Sequence, residues 1–184
     1  MTTFVILLRA VNVGGTGKLP MASFRKLLED LGYRKVETYI QSGNAVVDAP
    51  GTASSVCKAV AAALEKLLGA PAGVMVRTHD QLDSILTANP FAAEAANDGA
   101  RVHVVFLASS AASSANAGLD RIVAQYPTRH DRYHLAGDTL YLHLPDGAAE
   151  TKLTGKALER ALGGIAGTGR NWNTVLKLHA MSKR

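Results

Sequence analysis

The chain predicts an α+β protein made of two ferredoxin-like βαββαβ units, the second with a degraded last strand and followed by a C-terminal helix. Three observations carry this. Strand and helix patterns follow the order βαββαβ over residues 1–78 and begin the same order again at residue 101. A hairpin signal sits at the middle of each set, Ser42-Gly43-Asn44 in the first and Gly137-Asp138 in the second. A length of 184 residues suits one large domain or two units of roughly ninety residues each. The repetition is one of topology, without visible repetition of sequence. One α/β domain with a single continuous sheet is the alternative arrangement.

Thr3–Leu8 opens the first unit as a buried strand, because Phe4, Val5 and Ile6 are β-formers in an unbroken apolar run. Arg9–Pro20 is a loop containing Gly14, Gly15 and Gly17. Met21–Leu31 follows as an amphipathic helix with Phe24, Leu27, Leu28 and Leu31 at helical spacing, ended by Gly32. Lys35–Gln41 and Ala45–Val47 pair as a hairpin. Ala53–Leu68 is the second helix, closed by Gly69, and Val74–Thr78 is the fourth strand.

His79–Ala88 reads as a short connecting helix that Asn89-Pro90 stops. The order then restarts with a strand over Val102–Leu107 and a helix over Ala115–Tyr126. Arg132–Leu135 and Thr139–Leu144 form the second hairpin, and Leu153–Leu162 the next helix. The eighth strand is weak, with Ile165 and Ala166 standing among Gly163, Gly164, Gly167 and Gly169. A terminal helix covers Asn171–Ala180, with Trp172, Val175, Leu176 and His179 on one stripe. The organisation is therefore 1–78, a connecting helix and loop over 79–100, and 101–184.

Composition excludes several classes. Hydrophobic residues make up 47% of the chain and charged residues 19%, too apolar for a disordered protein. No apolar run reaches the ~18 residues of a membrane span, and a single cysteine, Cys57, excludes a disulfide scaffold. The apolar run at Thr3–Leu8 is too short for a signal peptide and Arg9 ends it. These features predict a cytoplasmic protein. Thirty alanines bury little area, so the core rests on Leu, Val, Ile and a few aromatic anchors.

The net charge is +5, and one local bias stands out. After Glu159 no acid appears, while Arg160, Arg170, Lys177, Lys183 and Arg184 follow. Such a segment suits a helix C-terminus and also offers a surface for an acidic partner or nucleic acid. RNA-recognition modules of similar topology stack bases on sheet aromatics. Here the third strand is Ala45-Val46-Val47 and the first offers only Phe4, which argues against that mode.

The glycine loop resembles a phosphate loop only superficially. A P-loop needs Gly, four residues, then Gly-Lys-Ser/Thr. Asn12 stands where the first glycine belongs, Leu19 replaces the hydroxyl and Pro20 removes a donor. What remains is a glycine loop framed by Arg9 and Lys18, a pattern suited to an anion. Right-handed crossovers make the first two strands point the same way, so this loop and the hairpin should emerge from one rim of the sheet, where the entry to the fourth strand also opens. That rim gathers Arg9, Asn12, Gly14, Gly15, Lys18, Tyr39, Gln41, Ser42 and Asn44. Neither segment contains His, Cys, Asp or Glu, so the groups suit binding an anion or amide better than proton transfer. Whether the protein is an enzyme stays open.

Other constellations point to structure. His130 and His134, four apart on a strand, stand about 13 Å from each other and cannot share a metal. His103 and His143 lie on neighbouring strands without a third ligand, so neither metal nor cofactor is expected. A second, basic cluster comprises Arg170, Asn171, Trp172 and Lys177: Asn171 suits an N-cap, Trp172 the core, and Arg170 an interface acid or an anion.

The run LLRAVNVGG at 7–15, Met21, TYIQSGN at 38–44, Asn89-Pro90-Phe91 and RNWNT at 170–174 with Lys177-Leu178 together resemble a bacterial family, domain-of-unknown-function family 1697. The resemblance implies a two-unit ferredoxin-like α+β protein and brings no activity, cofactor or catalytic residue. Its motif positions include Arg9, Asn12, Gly14, Gly15, Gln41, Ser42, Gly43, Asn44, Arg170, Asn171 and Trp172. The expectation is a protein that binds a small anionic or amide-bearing ligand at the loop 9–20 and hairpin 41–44. Nucleic-acid or protein binding through the basic C-terminal segment is the alternative.

Overall fold

The computed structural model describes residues 1–12 and 18–184. Among the described residues it is a mixed α+β protein with eight strands in two four-stranded antiparallel sheets and seven helices. Contacts divide it into two compact units, Met1–Leu86 with Leu176–Arg184, and Thr87–Val175.

The first unit contains β1 (Thr2–Arg9), α1 (Met21–Asp30), β2 (Arg34–Tyr39), β3 (Asn44–Ala49), α2 (Ala53–Leu68), β4 (Gly73–Thr78) and α3 (His79–Thr87), whose last residue groups with the second unit. The sheet order is β2-β3-β1-β4. Phe4, Ile6 and Leu8 alternate toward α1 and α2, where they join Phe24, Leu28, Val56, Val60 and Leu64 in one buried cluster. The intervening Val5 and Leu7 are equally buried. Local chemistry sets the helix ends. Thr52 and Ser55 form a reciprocal capping box at the start of α2, and Gly69 at φ 72° closes it, its N–H donating to Glu65 O. A bulge interrupts β2 between Arg34 and Glu37, with Lys35 at φ 48°.

The second unit contains α4 (Ala92–Asn97), β5 (Val102–Leu107), α5 (Ala115–Ala124), β6 (Arg132–Ala136), β7 (Thr139–His143), α6 (Gly155–Ala161), β8 (Gly167–Asn171) and the beginning of α7 (Trp172–Ser182). Its sheet order is β6-β7-β5-β8. Val105, Leu107, Leu140 and Leu142 pack with Leu119, Leu158 and Leu162. Helices α5 and α6 approach closely at Gly118, where an added Cβ would lie 3.0 Å from Ala161 Cα.

The structure differs from the sequence expectations in several places. The eighth strand lies at Gly167–Asn171 instead of around Ile165-Ala166. Gly167 allows a close fit there, since a Cβ would sit 2.8 Å from side-chain atoms of both Val105 and Leu107; the strand is defined by its fit to β5, not by β-forming residues. Helix α4 was not expected. Within the segment 79–100, residues 79–86 group with the first unit and residues 87–100 with the second. Residues 176–184 belong with the first unit. There His179 stacks on His79 with ring centroids 4.6 Å apart, His79 Nδ1 lies 2.9 Å from Ser182 Oγ, and the Arg184 guanidinium donates to Lys35 O at 2.8 Å. On α7 the buried stripe is Trp172, Val175 and Leu178, while Leu176 is 44% exposed.

Candidate functional site

The rim of the first sheet is built by strand direction. Arg9 at the end of β1 pairs with Gly73 at the start of β4, and Asn44 at the start of β3 faces both Leu7 and Tyr39. The exit of β1, the hairpin and the entry of β4 therefore share one edge. Leu8 N–H donates to Gly43 O at 2.8 Å, and the Asn12 amide donates to Gln41 O at 2.8 Å. Loop and hairpin are thus joined by direct hydrogen bonds, and Asn12 and Asn44 stand at the same end.

Gly43 makes this closeness possible. It holds φ 81°, and a Cβ there would lie 2.6 Å from Val11 Cγ2 and 2.8 Å from Leu8 Cβ. Gly73 does the same for the cation: a Cβ on it would be 2.9 Å from Arg9 Cβ, so the Arg9 stem lies across the glycine. Val11 and Leu19, both buried, anchor the two sides of the loop in the core.

The two asparagines serve the backbone. Asn12 Nδ2 donates to Leu19 O as well as to Gln41 O, and its Oδ1 accepts from Leu19 N–H at 2.8 Å. Asn44 is fully buried and its Nδ2 donates to Tyr39 O and Ser42 Oγ, each at 3.0 Å. They shape the rim instead of presenting amide protons to a ligand. Lys18 and the Gln41 side chain are exposed, while Arg9, Tyr39 and Ser42 are half-buried. Gly14 and Gly15 lie outside the described residues. Left-handed backbone also concentrates here: of the non-glycine residues with positive φ among those described, Ala10 (57°), Asn12 (56°) and Ile40 (49°) are on this rim.

The second predicted cluster is structural in three of its four members. Arg170 is 7% exposed, and its Nη1 donates to Thr168 Oγ1 and Gly169 O, each at 2.8 Å. Burial pulls its pKa down to about 10. Asn171 Oδ1 accepts from Thr174 N–H at 2.9 Å and caps α7, and Trp172 is buried. Lys177 is exposed. Arg184 is engaged too, within 3.4 Å of Glu37 and 3.9 Å of Asp48. Among the described residues no group of three or more metal-ligating side chains converges, and no helix is long and apolar enough to cross a membrane.

Sequence reasoning passed over a cleft in the second unit that involves Asp120, Asp131 and Tyr133. The available signal was the ionisable run Asp131-Arg132-Tyr133-His134 at an edge strand.

Comparison with known proteins agrees with the fold and is silent on activity. The family described as "Protein of unknown function (DUF1697)" matches residues 1–141. A solved structure of the conserved bacterial protein SP0830 from Streptococcus pneumoniae is similar, with a TM-score of 0.69 and 22% identity over 99% of each chain. No curated protein matches.

Proposed function

The chain belongs to the DUF1697 family of proteins of unknown function, and we propose that its first-unit rim binds a small anionic or amide-bearing ligand in the bacterial cytoplasm. The observation that carries this reading is the direct joining of loop and hairpin by the Asn12–Gln41 bond. It holds two cation-bearing stretches against a hairpin rich in hydrogen-bonding groups. Arg9, Lys18, Gln41, Ser42 and Tyr39 are the groups assigned to the ligand. Asn12, Gly43 and Asn44 hold them in place. The left-handed residues add support, since backbone strain persists where the surroundings enforce it and clusters at binding sites. With no acid or base in either segment, the rim's role is binding.

We read each sheet with its helices as a ferredoxin-like βαββαβ unit, supported by the equivalent orders β2-β3-β1-β4 and β6-β7-β5-β8. The alternative, an acidic partner or nucleic acid on the C-terminal basic segment, has less support, because Arg170 is buried and Arg184 pairs with carboxylates of its own chain.

Thermal-shift titration of the full chain with phosphate, succinate and glutamine tests the rim. At least one class should raise Tm saturably, and Arg9→Ala and Lys18→Ala should each weaken that ligand by about tenfold, the loss of one charge-assisted contact. No saturable shift, or one that survives both substitutions, defeats the assignment.

A further inference from the structure

The second unit holds a buried carboxylate that its own fold leaves uncompensated. Asp131, just before β6, is 8% exposed. Its Oδ2 accepts from Thr151 Oγ1 at 2.6 Å, while its buried Oδ1 has no hydrogen-bond partner. Among the described residues it makes no ion pair. Arg129 and Lys152 line a narrow gap on one side of it, but Arg129 pairs with Glu150 at 3.1 Å and Lys152 lies over the Tyr126 ring at 5.7 Å. A buried carboxylate oxygen left without a donor opposes folding, and a cationic donor from outside the chain would offset that cost.

The same residue lines an open cleft of about 540 Å³, a size typical of small-molecule sites. Opposite β6, Asp120 of α5 brings a second carboxylate to the cleft. The Tyr133 hydroxyl donates to Asp120 Oδ1 at 2.5 Å and lies 3.1 Å from Asn116 O. Burial and that contact push the Tyr133 pKa up to about 12, so the phenol stays protonated. The lone arginine of the lining, Arg132, is already engaged: it pairs with Glu94, contacts His143 Nδ1 at 3.1 Å and stacks over Phe91 at 5.0 Å. The lining thus carries two carboxylates against an arginine that its own glutamate balances. His134 is the other titratable group of the lining.

We propose that this cleft is a second binding site, independent of the first-unit rim, for a small organic cation bearing a primary ammonium group. The ammonium supplies the positive charge that Asp131 lacks, and Asp120 and the Asn116 carbonyl offer further acceptors. The aromatic rings of Phe91 and Tyr133 suit the apolar part of such a molecule.

Calorimetric titration of the full chain with n-butylamine and putrescine, beside n-butanol and calcium chloride, tests this. The amines should bind saturably and n-butanol should not. Asp131→Asn keeps an acceptor for Thr151, so it should bind the amines at least tenfold more weakly, the equivalent of about 1.4 kcal/mol. Because the substitution removes an unpaired buried charge, the ligand-free Tm should stay level or rise. Equal heats for butylamine and butanol, binding of calcium alone, or unchanged amine affinity in Asp131→Asn would overturn the site. If that variant does not fold, Asp120→Asn decides: weakened amine binding upholds the proposal, and natural affinity overturns it.

Discussion

Asparagine and glycine dominate the rim for different reasons. Asn44 replaces water for the Tyr39 carbonyl at a buried position, and Gly43 allows Val11 and Leu8 to pass where any side chain would collide. Ile40 is the unusual member of the group. A β-branched residue at φ 49° is strained, and at 47% exposure its side chain gains little from burial. Ile40→Asn should therefore raise stability by about 0.5–1 kcal/mol, since asparagine tolerates the left-handed region. Urea denaturation of the two chains measures it, and a loss of stability would show that Ile40 is held by packing instead. The sequence named Tyr39, Gln41, Ser42 and Asn44 as rim residues. It did not reveal that the Asn12 and Asn44 amides bond to backbone carbonyls, because the direction of an amide depends on which carbonyls the completed turn leaves unpaired.

At the scale of elements, local signals and tertiary fit divide the chain between them. Helix α2 matches its expected bounds, with Gly69 as the stop, and the structure adds the Thr52–Ser55 capping box that starts it. Thr52→Ala should cost about 1 kcal/mol by removing the cap, seen as a lower urea midpoint with an unchanged m-value. A neutral result would mean that packing of Val56, Val60 and Leu64 alone sets that helix. Strand β8 is the opposite case. Gly167–Asn171 has no strand signature, yet it pairs with β5 from His103 to Leu107, and Gly167 lies close against the side chains of Val105 and Leu107. Helix α4 carries no sequence signature, because six residues, four of them alanine, are too short to show a periodicity.

For the molecule as a whole, the end of the chain strengthens the first unit through charge. Asp48 accepts from Thr3 Oγ1 at 2.9 Å, pairs with Lys35 at 3.2 Å and lies 3.9 Å from Arg184. Burial pushes its carboxyl up, but the Thr3 bond and the two cations outweigh this and leave its pKa below the ordinary value. The folded pKa being the lower one, the stabilisation is complete above the unfolded value of roughly 3.9 and is lost as pH falls through the folded value. Asp48→Asn should thus lower stability at neutral pH by about 1–2 kcal/mol, with the difference from the natural chain narrowing below the unfolded value and closing once the pH has fallen below the folded one. Melting curves from neutral pH into the acid range measure it, and parallel pH profiles would remove Asp48 from the acid transition.

The strand and helix order apart from α4 and β8, and the meeting of the β1 exit with hairpin 41–44, followed from periodicity, turn residues and crossover handedness, all short-range or chiral properties of the chain. Three features depended on the folded chain: the grouping of residues 176–184 with the first unit, the glycine-rich β8, and the buried Asp131 Oδ1, which has no partner among the described residues. Each depends on which surfaces meet across distant stretches of sequence. Burial and charge compensation arise only when those surfaces come together, and no local pattern encodes them.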